Sequence, residues 1–373
     1  MTQWMNRWSQ VQSALFAGAL LTLGGLAAMN ARSFRLPGSV DLLNGSLAKA
    51  FETQYDELFP VKTLGVNLWA AIDYTVFIEG RPGIVIGKED WLYTDEEFNV
   101  GNDYHAHLRD NLALIVSHNS ELASSGVQLV VAVVPAKARV YPELLGSRRP
   151  ARAHLDLYDT LLARLADANI PTADLRNTLI AGKLRHPTYF RTDTHWTPWG
   201  AQLAAREVAA VVRSQQWART PGSVYVTRLD RTILHRGDLL GFLPLEPYFA
   251  QLLPQPETVE VMRTEVARSK GDALRATEAD LFGDAALPEV VLVGTSYAAN
   301  PLWNFAGYLE ESLHEAIVNY AREGGGPFQP MAAYLRSEDF SKSRPRLVIW
   351  EIPERALLSA ASVNAPNTFA DAR

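Results

Sequence analysis

The chain has 373 residues, 47% hydrophobic and 20% charged, which excludes wholesale disorder and, at roughly 150 residues per domain, suggests two to three domains. Lys plus Arg number 35 against 41 Asp plus Glu, so the net charge of −6 leaves no basic surplus for a nucleic-acid partner. The absence of cysteine removes disulfide staples, thiol nucleophiles, Cys-ligated zinc and iron–sulfur clusters together, leaving oxygen and nitrogen groups to carry any catalysis.

Residues Ala14–Met29 form a charge-free run, preceded by Arg7 without any acid and followed by Arg32 and Arg35. Its sixteen residues are short for a spanning helix of about 20 and long for a signal-peptide core of roughly 7–15. A buried core helix is the plain alternative, but nothing precedes the run for it to pack against. Met29, Asn30 and Arg32 interrupt any small-x-small cleavage site. The expectation is an uncleaved signal anchor over residues 1–35, with a cleaved signal peptide as the alternative, and the rest of the chain outside the cytoplasmic membrane.

Downstream, a helical stretch is expected over Leu47–Leu58, broken by Pro60. Gly83–Thr94 reads as two short strands about a Gly87–Asp90 turn. Leu108, Leu112, Ile115 and Leu122 give Ala106–Ser124 an amphipathic face ended by Gly126. Leu129–Pro135 is a continuous apolar run, the mark of a strand buried on both faces. A helix over Ala153–Ala168, a short strand at Thr172–Leu175 and a helix over Pro198–Gln215 with Thr197 in capping position follow. Residues 219–287 lose regularity apart from the β-like SVYVTRL, and read as an insertion or lobe rather than a separate domain. Strands return at Glu289–Gly294 and Arg346–Ile352, with a helix near Asn304–Arg322 between them, and residues 359–373 read as a loose tail. Four apolar strands alternating with helices predict a doubly wound, mainly parallel α/β sheet flanked by helices, within one domain over 36–358.

Such sheets bind ligands at the carboxyl ends of their strands. Pro135-Ala136-Lys137-Ala138-Arg139, Gly294-Thr295-Ser296-Tyr297 and Glu351-Ile352-Pro353-Glu354-Arg355 follow apolar runs, and Asp193-Thr194-His195-Trp196 precedes a helix. Gly294 permits a sharp strand exit that exposes Ser296 among backbone N–H groups able to hold an oxyanion; the plain alternative is a helix cap. Asp193 and His195, two apart in an extended segment, share a face, so the carboxylate can orient the imidazole and leave its other nitrogen as a base for a serine. Trp196 and Trp199 can shield that pair. A capping Asp beside a partly buried His, or a two-ligand metal site, are the alternatives. His105 and His107 near Asp103 form the one rival ligand pair, and no metal or other cofactor is expected.

At these residues the sequence resembles the alginate O-acetyltransferase family, the AlgJ- and AlgX-like proteins with an SGNH-hydrolase-like domain. The shared marks are Asp193–Trp196, Gly294–Tyr297 and Trp303-Asn304-Phe305. Further marks are Val134–Lys137, Trp91-Leu92-Tyr93, Gly237-Asp238-Leu239, Gly324–Pro327 and Ile349–Arg355, together covering about Phe51–Arg355. The Asp-x-His precedes the serine, the reverse of ordinary SGNH hydrolases and the circularly permuted order of this family. The resemblance implies Ser296 as nucleophile, His195 as general base and Asp193 as its orienter, passing an acetyl group through acetyl-Ser296 to hydroxyls of an exopolysaccharide, alginate-like or another polymer such as cellulose. It also implies a membrane-bound O-acyltransferase as acetyl relay, and an inner-membrane location at the periplasmic face, or in the periplasm if the N-terminal segment is cleaved. With no added carbohydrate-binding β-domain after Arg355, the membrane-anchored, AlgJ-like branch fits best. Thr295, Tyr297, Trp303 and Asn304 are candidates for the oxyanion or substrate contacts. Lys137, Arg139 and Arg355 are candidates for an acidic sugar chain, or equally for ion pairs that hold the loops. A carbohydrate acetylesterase with the same triad and a non-catalytic polysaccharide-binding scaffold of a secretion complex are the alternatives.

Overall fold

The computed structural model describes residues 2–31, 35, 44–57, 62–217, 223–267 and 288–361. The chain divides into two compact units, Met1–Glu79 with Leu243–Leu253, and Gly80–Phe242 with Pro254–Arg373.

The first unit holds helices α1 (Thr2–Ala31), α2 (Ser46–Glu57) and α3 (Lys62–Ile72), the last running into a π-helical turn over Asp73–Phe77. The helix expected to reach Leu58 is α2; Leu58 and Pro60 lie outside the described residues. Asn67, buried on α3, donates from Nδ2 to the Pro244 carbonyl at 2.6 Å and so ties the 243–253 segment to this unit. The expected membrane anchor is corrected: among the described residues no helix is long and apolar enough to cross a membrane. Although α1 has 30 residues, its first turns are polar, from Thr2 through Asn6 and Arg7 to Ser13. The charge-free run spans only about 24 Å at 1.5 Å per residue, less than the ~30 Å hydrocarbon core. Half of that run is Ala and Gly, which contribute little apolar surface. The inner-membrane location that rested on the anchor falls with it.

The second unit is organised by a five-stranded parallel sheet. Its chain order begins with an antiparallel hairpin, β1 (Ile84–Ile86) and β2 (Leu92–Thr94), whose turn places Glu89 and Asp90 at φ 54 and 62. Then follow α4 (Tyr104–Ser124), β3 (Gln128–Val134), α5 (Lys137–Val140), α6 (Arg152–Asp167), β4 (Thr172–Asp174), α7 (Leu175–Gly182) and α8 (Pro198–Ser214). A second hairpin, β5 (Tyr225–His235) and β6 (Glu257–Val266), precedes β7 (Val290–Val293), α9 (Ser296–Ala299) and α10 (Phe305–Leu313). Next come β8 (Ile317–Asn319), α11 (Phe328–Leu335), α12 (Glu338–Lys342) and β9 (Leu347–Pro353), followed by a short helical turn over Glu354–Leu358. The sheet order is β4-β3-β9-β7-β8, every pair parallel.

Alternation along the strands explains why both faces are covered. Val130, Ala132 and Val134 of β3, with Leu347 and Ile349 of β9, pack on α7, α8 and α10; Leu129, Val131 and Val133, with Val348 and Trp350, pack on α4, α6 and α11. The sheet is therefore doubly wound, with both faces dry.

Two elements depart from expectation. The helix expected over 304–322 stops at Leu313, because His314 takes a left-handed conformation at φ 58, and the chain then adds the edge strand β8. Two apolar residues followed by Asn319 are too few to read as a strand in sequence. The 219–287 stretch, expected to hold only a short β segment, contains the whole β5–β6 hairpin; residues 218–222 and 268–287 lie outside the described residues, as do residues 362–373 of the expected tail.

Candidate active site

Three strand ends supply the site. β7 exits through Gly294 into Thr295 and Ser296, and a Cβ on Gly294 would lie 2.5 Å from Glu351 Oε2, so only glycine fits beside the central strand. Thr295 caps the short helix α9, and its backbone N–H and hydroxyl donate to buried Glu351 Oε2 at 2.7 and 2.9 Å. Burial raises the Glu351 carboxyl to about 7, against the two Thr295 hydrogen bonds and the Arg355 charge that favour its ionised form. Ser296, partly buried, borders a cavity of about 330 Å³ lined also by Gly324–Gly326, Pro353 and Arg355.

The Asp193–His195 loop lies against this turn. His195 Nδ1 is 2.6 Å from Asp193 Oδ1, and its Nε2 is 2.6 Å from Ser296 Oγ. The His195 backbone N–H also donates to Asp193 Oδ1 at 2.9 Å, closing a local ring that the two-residue spacing makes possible. An ionised carboxylate only accepts, so the proton sits on Nδ1 and Nε2 faces the serine as acceptor. Burial of Asp193 would raise its carboxyl, but hydrogen bonds from the His195 and His235 side chains and from the His195 backbone N–H hold it well below the usual carboxylate range. The imidazole stacks on Trp303, centroids 5.3 Å apart at 23°, and Trp303 Nε1 donates to the Ser296 carbonyl at 3.2 Å.

The remaining sequence candidates divide. Tyr297 is buried and ties the two loops together: its hydroxyl donates to the Thr194 carbonyl at 2.6 Å and accepts from Arg355 Nη1 at 2.9 Å. Arg355 also pairs with Glu96 at 3.0 Å and keeps its place on the cavity wall. Lys137 is not placed for a substrate. It is 1% exposed, and its ammonium donates to the carbonyls of Leu92, Arg191 and Asp193 at 2.6, 2.9 and 2.9 Å. Burial draws its pKa down to about 8, against the pull of Glu97, Glu257, Asp193 and Asp238. Arg139 forms a two-pronged pair with Glu354, 2.8 Å at each contact, and holds the His154 carbonyl. Asn304, at φ 52, spends its amide on Thr264 Oγ1 of β6 at 2.9 Å rather than on the serine turn. Trp196 is fully buried behind the pair, whereas Trp199 turns away to the Gly182 carbonyl.

Sequence reasoning overlooked the hairpin's contribution. His235 Nε2 donates to Asp193 Oδ2 at 2.9 Å; Asp238 accepts from the Thr194 N–H and hydroxyl at 2.9 and 2.6 Å; Glu257 accepts from the N–H groups of Arg191 and Thr192 at 2.9 and 3.1 Å. Asp238 stood in a recognised run without a role, and His235 lay in the irregular stretch. Asp193, His195 and Asp238 bring ligand-type atoms within 4.8 Å of one another, the one such group among the described residues. Thr194 Oγ1, 3.2 Å from His195 Nδ1 and 2.6 Å from Asp238 Oδ2, and the direct Asp193 contact already join these atoms by hydrogen bonds, so the group is built to hold a proton. His105 and His107 stand two apart on α4, about 200° around the helix, and cannot share one ion; His107 is 3.3 Å from the Leu358 carbonyl instead.

A parallel sheet with a serine and an Asp-x-His loop at its carboxyl edge has known counterparts. The profile described as "SGNH hydrolase-like domain, acetyltransferase AlgX" matches residues 84–354. The chain belongs to this AlgX family of SGNH hydrolase-like domains. Within the family it is 46% identical over 366 residues to the probable alginate O-acetylase AlgJ of Pseudomonas aeruginosa, covering 98% of this chain and 93% of that one. It is 47% identical over 354 residues to the probable alginate O-acetylase AlgJ of Azotobacter vinelandii, covering 95% and 90%. Among solved structures it matches the O-acetyltransferase domain of Pseudomonas putida AlgJ with a TM-score of 0.68 at 40% identity, covering 77% of this chain and 96% of that one.

Proposed function

We propose that this AlgX-family chain is an O-acetyltransferase that moves an acetyl group through Ser296 onto hydroxyls of alginate. The observation that carries the reading is the continuous hydrogen-bonded line from Asp193 through His195 to Ser296, 2.6 Å at both steps, opening on a cavity. The likeness to two alginate O-acetylases over nearly the whole chain supports the polymer.

In the first half-reaction His195 Nε2 takes the Ser296 hydroxyl proton as Oγ bonds to the acetyl carbonyl carbon. The oxyanion is held by backbone N–H groups at the serine turn. The bond to the donor's leaving group then breaks, the leaving group takes the proton from Nε2, and acetyl-Ser296 remains. An acceptor hydroxyl next gives its proton to Nε2 and attacks the acetyl carbon; Oγ leaves and recovers that proton. A membrane-bound O-acyltransferase is the partner assigned to deliver the donor. Arg355, the cation on the cavity wall, is the group assigned to meet a uronate carboxylate.

The test is incubation of the full chain with an acetyl ester donor, with and without mannuronate oligosaccharide, reading the products by mass spectrometry. Acetylated oligosaccharide from the wild type and none from Ser296→Ala is expected. Ester hydrolysis indifferent to acceptor refutes transfer in favour of an esterase. Acetylation undiminished in a folded Ser296→Ala chain refutes the nucleophile and leaves a scaffold role.

A further inference from the structure

Asp193 is held by two imidazoles, and the steps above use only one. Its Oδ1 faces His195 Nδ1 at 2.6 Å, while its Oδ2 accepts from His235 Nε2 at 2.9 Å and from the Asp238 N–H at 3.1 Å. His235 is the last residue of β5, so it reaches the site from the hairpin and not from the sheet. Its ring is fixed from two sides, with centroids 4.8 Å from Phe190 and 5.7 Å, edge-on, from Trp303. Trp303 in turn stacks on His195, so one indole touches both imidazoles. The charged and titratable groups around this ring are Asp193 and His195 on the loop, Asp238 on the turn after β5, and Glu257, its register partner on β6. Lys137 stands behind Asp193 on α5. Because a carboxylate oxygen only accepts, the His235 proton is on Nε2.

We propose that His235 is a positioning residue: by occupying Oδ2 it fixes the carboxylate plane of Asp193 and limits how strongly Asp193 draws the His195 proton. The inference rests on the acyl-transfer reading of the same site. A carboxylate that accepts from several donors spreads its charge among them. Removing the His235 donor concentrates that charge on the remaining partner, favours the His195 imidazolium, and so moves the pH at which Nε2 becomes free upward. The same loss releases rotation of the carboxylate and misaligns the base.

Two variants separate these effects from simple packing. His235→Phe keeps a flat ring between Phe190 and Trp303 but has no donor; His235→Gln keeps a donor without the ring. Ser296 modification by phenylmethylsulfonyl fluoride, followed by mass spectrometry on the full chain from about pH 5 to about pH 9, reads serine reactivity without needing an acceptor. His235→Phe is expected to slow labelling about tenfold to hundredfold and to shift the acidic limb upward by about one unit. His235→Gln is expected to restore the limb to its wild-type position. A wild-type rate and limb in His235→Phe overturns the proposal. So does a slower rate with an unmoved limb, which is a packing effect alone. An upward shift in folded His235→Gln overturns it as well, independently of how the Phe variant folds. Labelled wild-type Ser296 without acetyl transfer to oligosaccharide refutes the proposed function and leaves the role of His235 supported or refuted by the labelling alone.

Discussion

Glu351→Gln should make the protein more stable above neutrality while leaving it unchanged in acid. Glu351 is fully buried on the central strand, and burial raises its carboxyl from 4.5 to about 7 despite the two hydrogen bonds from Thr295. Between those values the folded chain holds a proton that the unfolded chain has lost, so stability falls as pH rises through that window. At about 1.36 kcal/mol per unit, the rise corresponds to about 3 kcal/mol, absent below 4.5 and fully expressed above about 7. Glutamine retains an acceptor for the Thr295 N–H, now 2.7 Å from Oε2, and never ionises. The assay is urea denaturation of both chains from about pH 4 to about pH 8, comparing the difference between them at each pH so that groups common to both cancel. The difference should grow toward about 3 kcal/mol in favour of Gln with rising pH. A constant difference, or one favouring Glu at high pH, refutes the reasoning.

Asp193→Asn should lower kcat by about 10⁴ with the fold retained, since an amide can donate to Nδ1 and hold His195 in the wrong tautomer; a pH–rate profile and thermal denaturation check both halves. Asn304→Gly should change kcat little and cost about 1 kcal/mol of stability through the lost bond to Thr264, because glycine accepts φ 52 freely. An oxyanion role for the Asn304 amide would instead cost about 10²–10³ in kcat, so steady-state kinetics decides between the two placements.

Much of the framework was legible because strands buried on both faces cannot hide their composition: Leu129–Val134, Val290–Val293 and Leu347–Trp350 are apolar without alternation. Once those strands are placed, the carboxyl-end rule directs attention to Ser296 and the Asp193–His195 loop, and their short spacing encodes its own geometry. What sequence could not convey was direction. Lys137 and Arg139 sit on a strand-end loop suited to a ligand, yet both turn inward, and their carbonyl and carboxylate partners come from Leu92, Asp193, His154 and Glu354. His235 was hidden for the same reason: β5 is mostly exposed and follows no clean period, and its one functional contact is made across 42 positions. The N-terminal run misled differently. Freedom from charge is a weaker property than apolarity, and a helix rich in Ala and Gly has the first without enough of the second.

The position of β9 bears on how the protein comes into being. It is the last strand of the described chain, yet it lies between β3 and β7 and carries Glu351 beneath the serine turn. During synthesis β3 and β7 emerge long before the strand that joins them, and neither can complete its ladder until residues 347–353 arrive. That is a high-contact-order closure, slow to form and late in the chain. The nucleophile turn therefore gains its buried support only at the final insertion, and ribosome-bound chains lacking those residues should carry Ser296 and His195 without an assembled site.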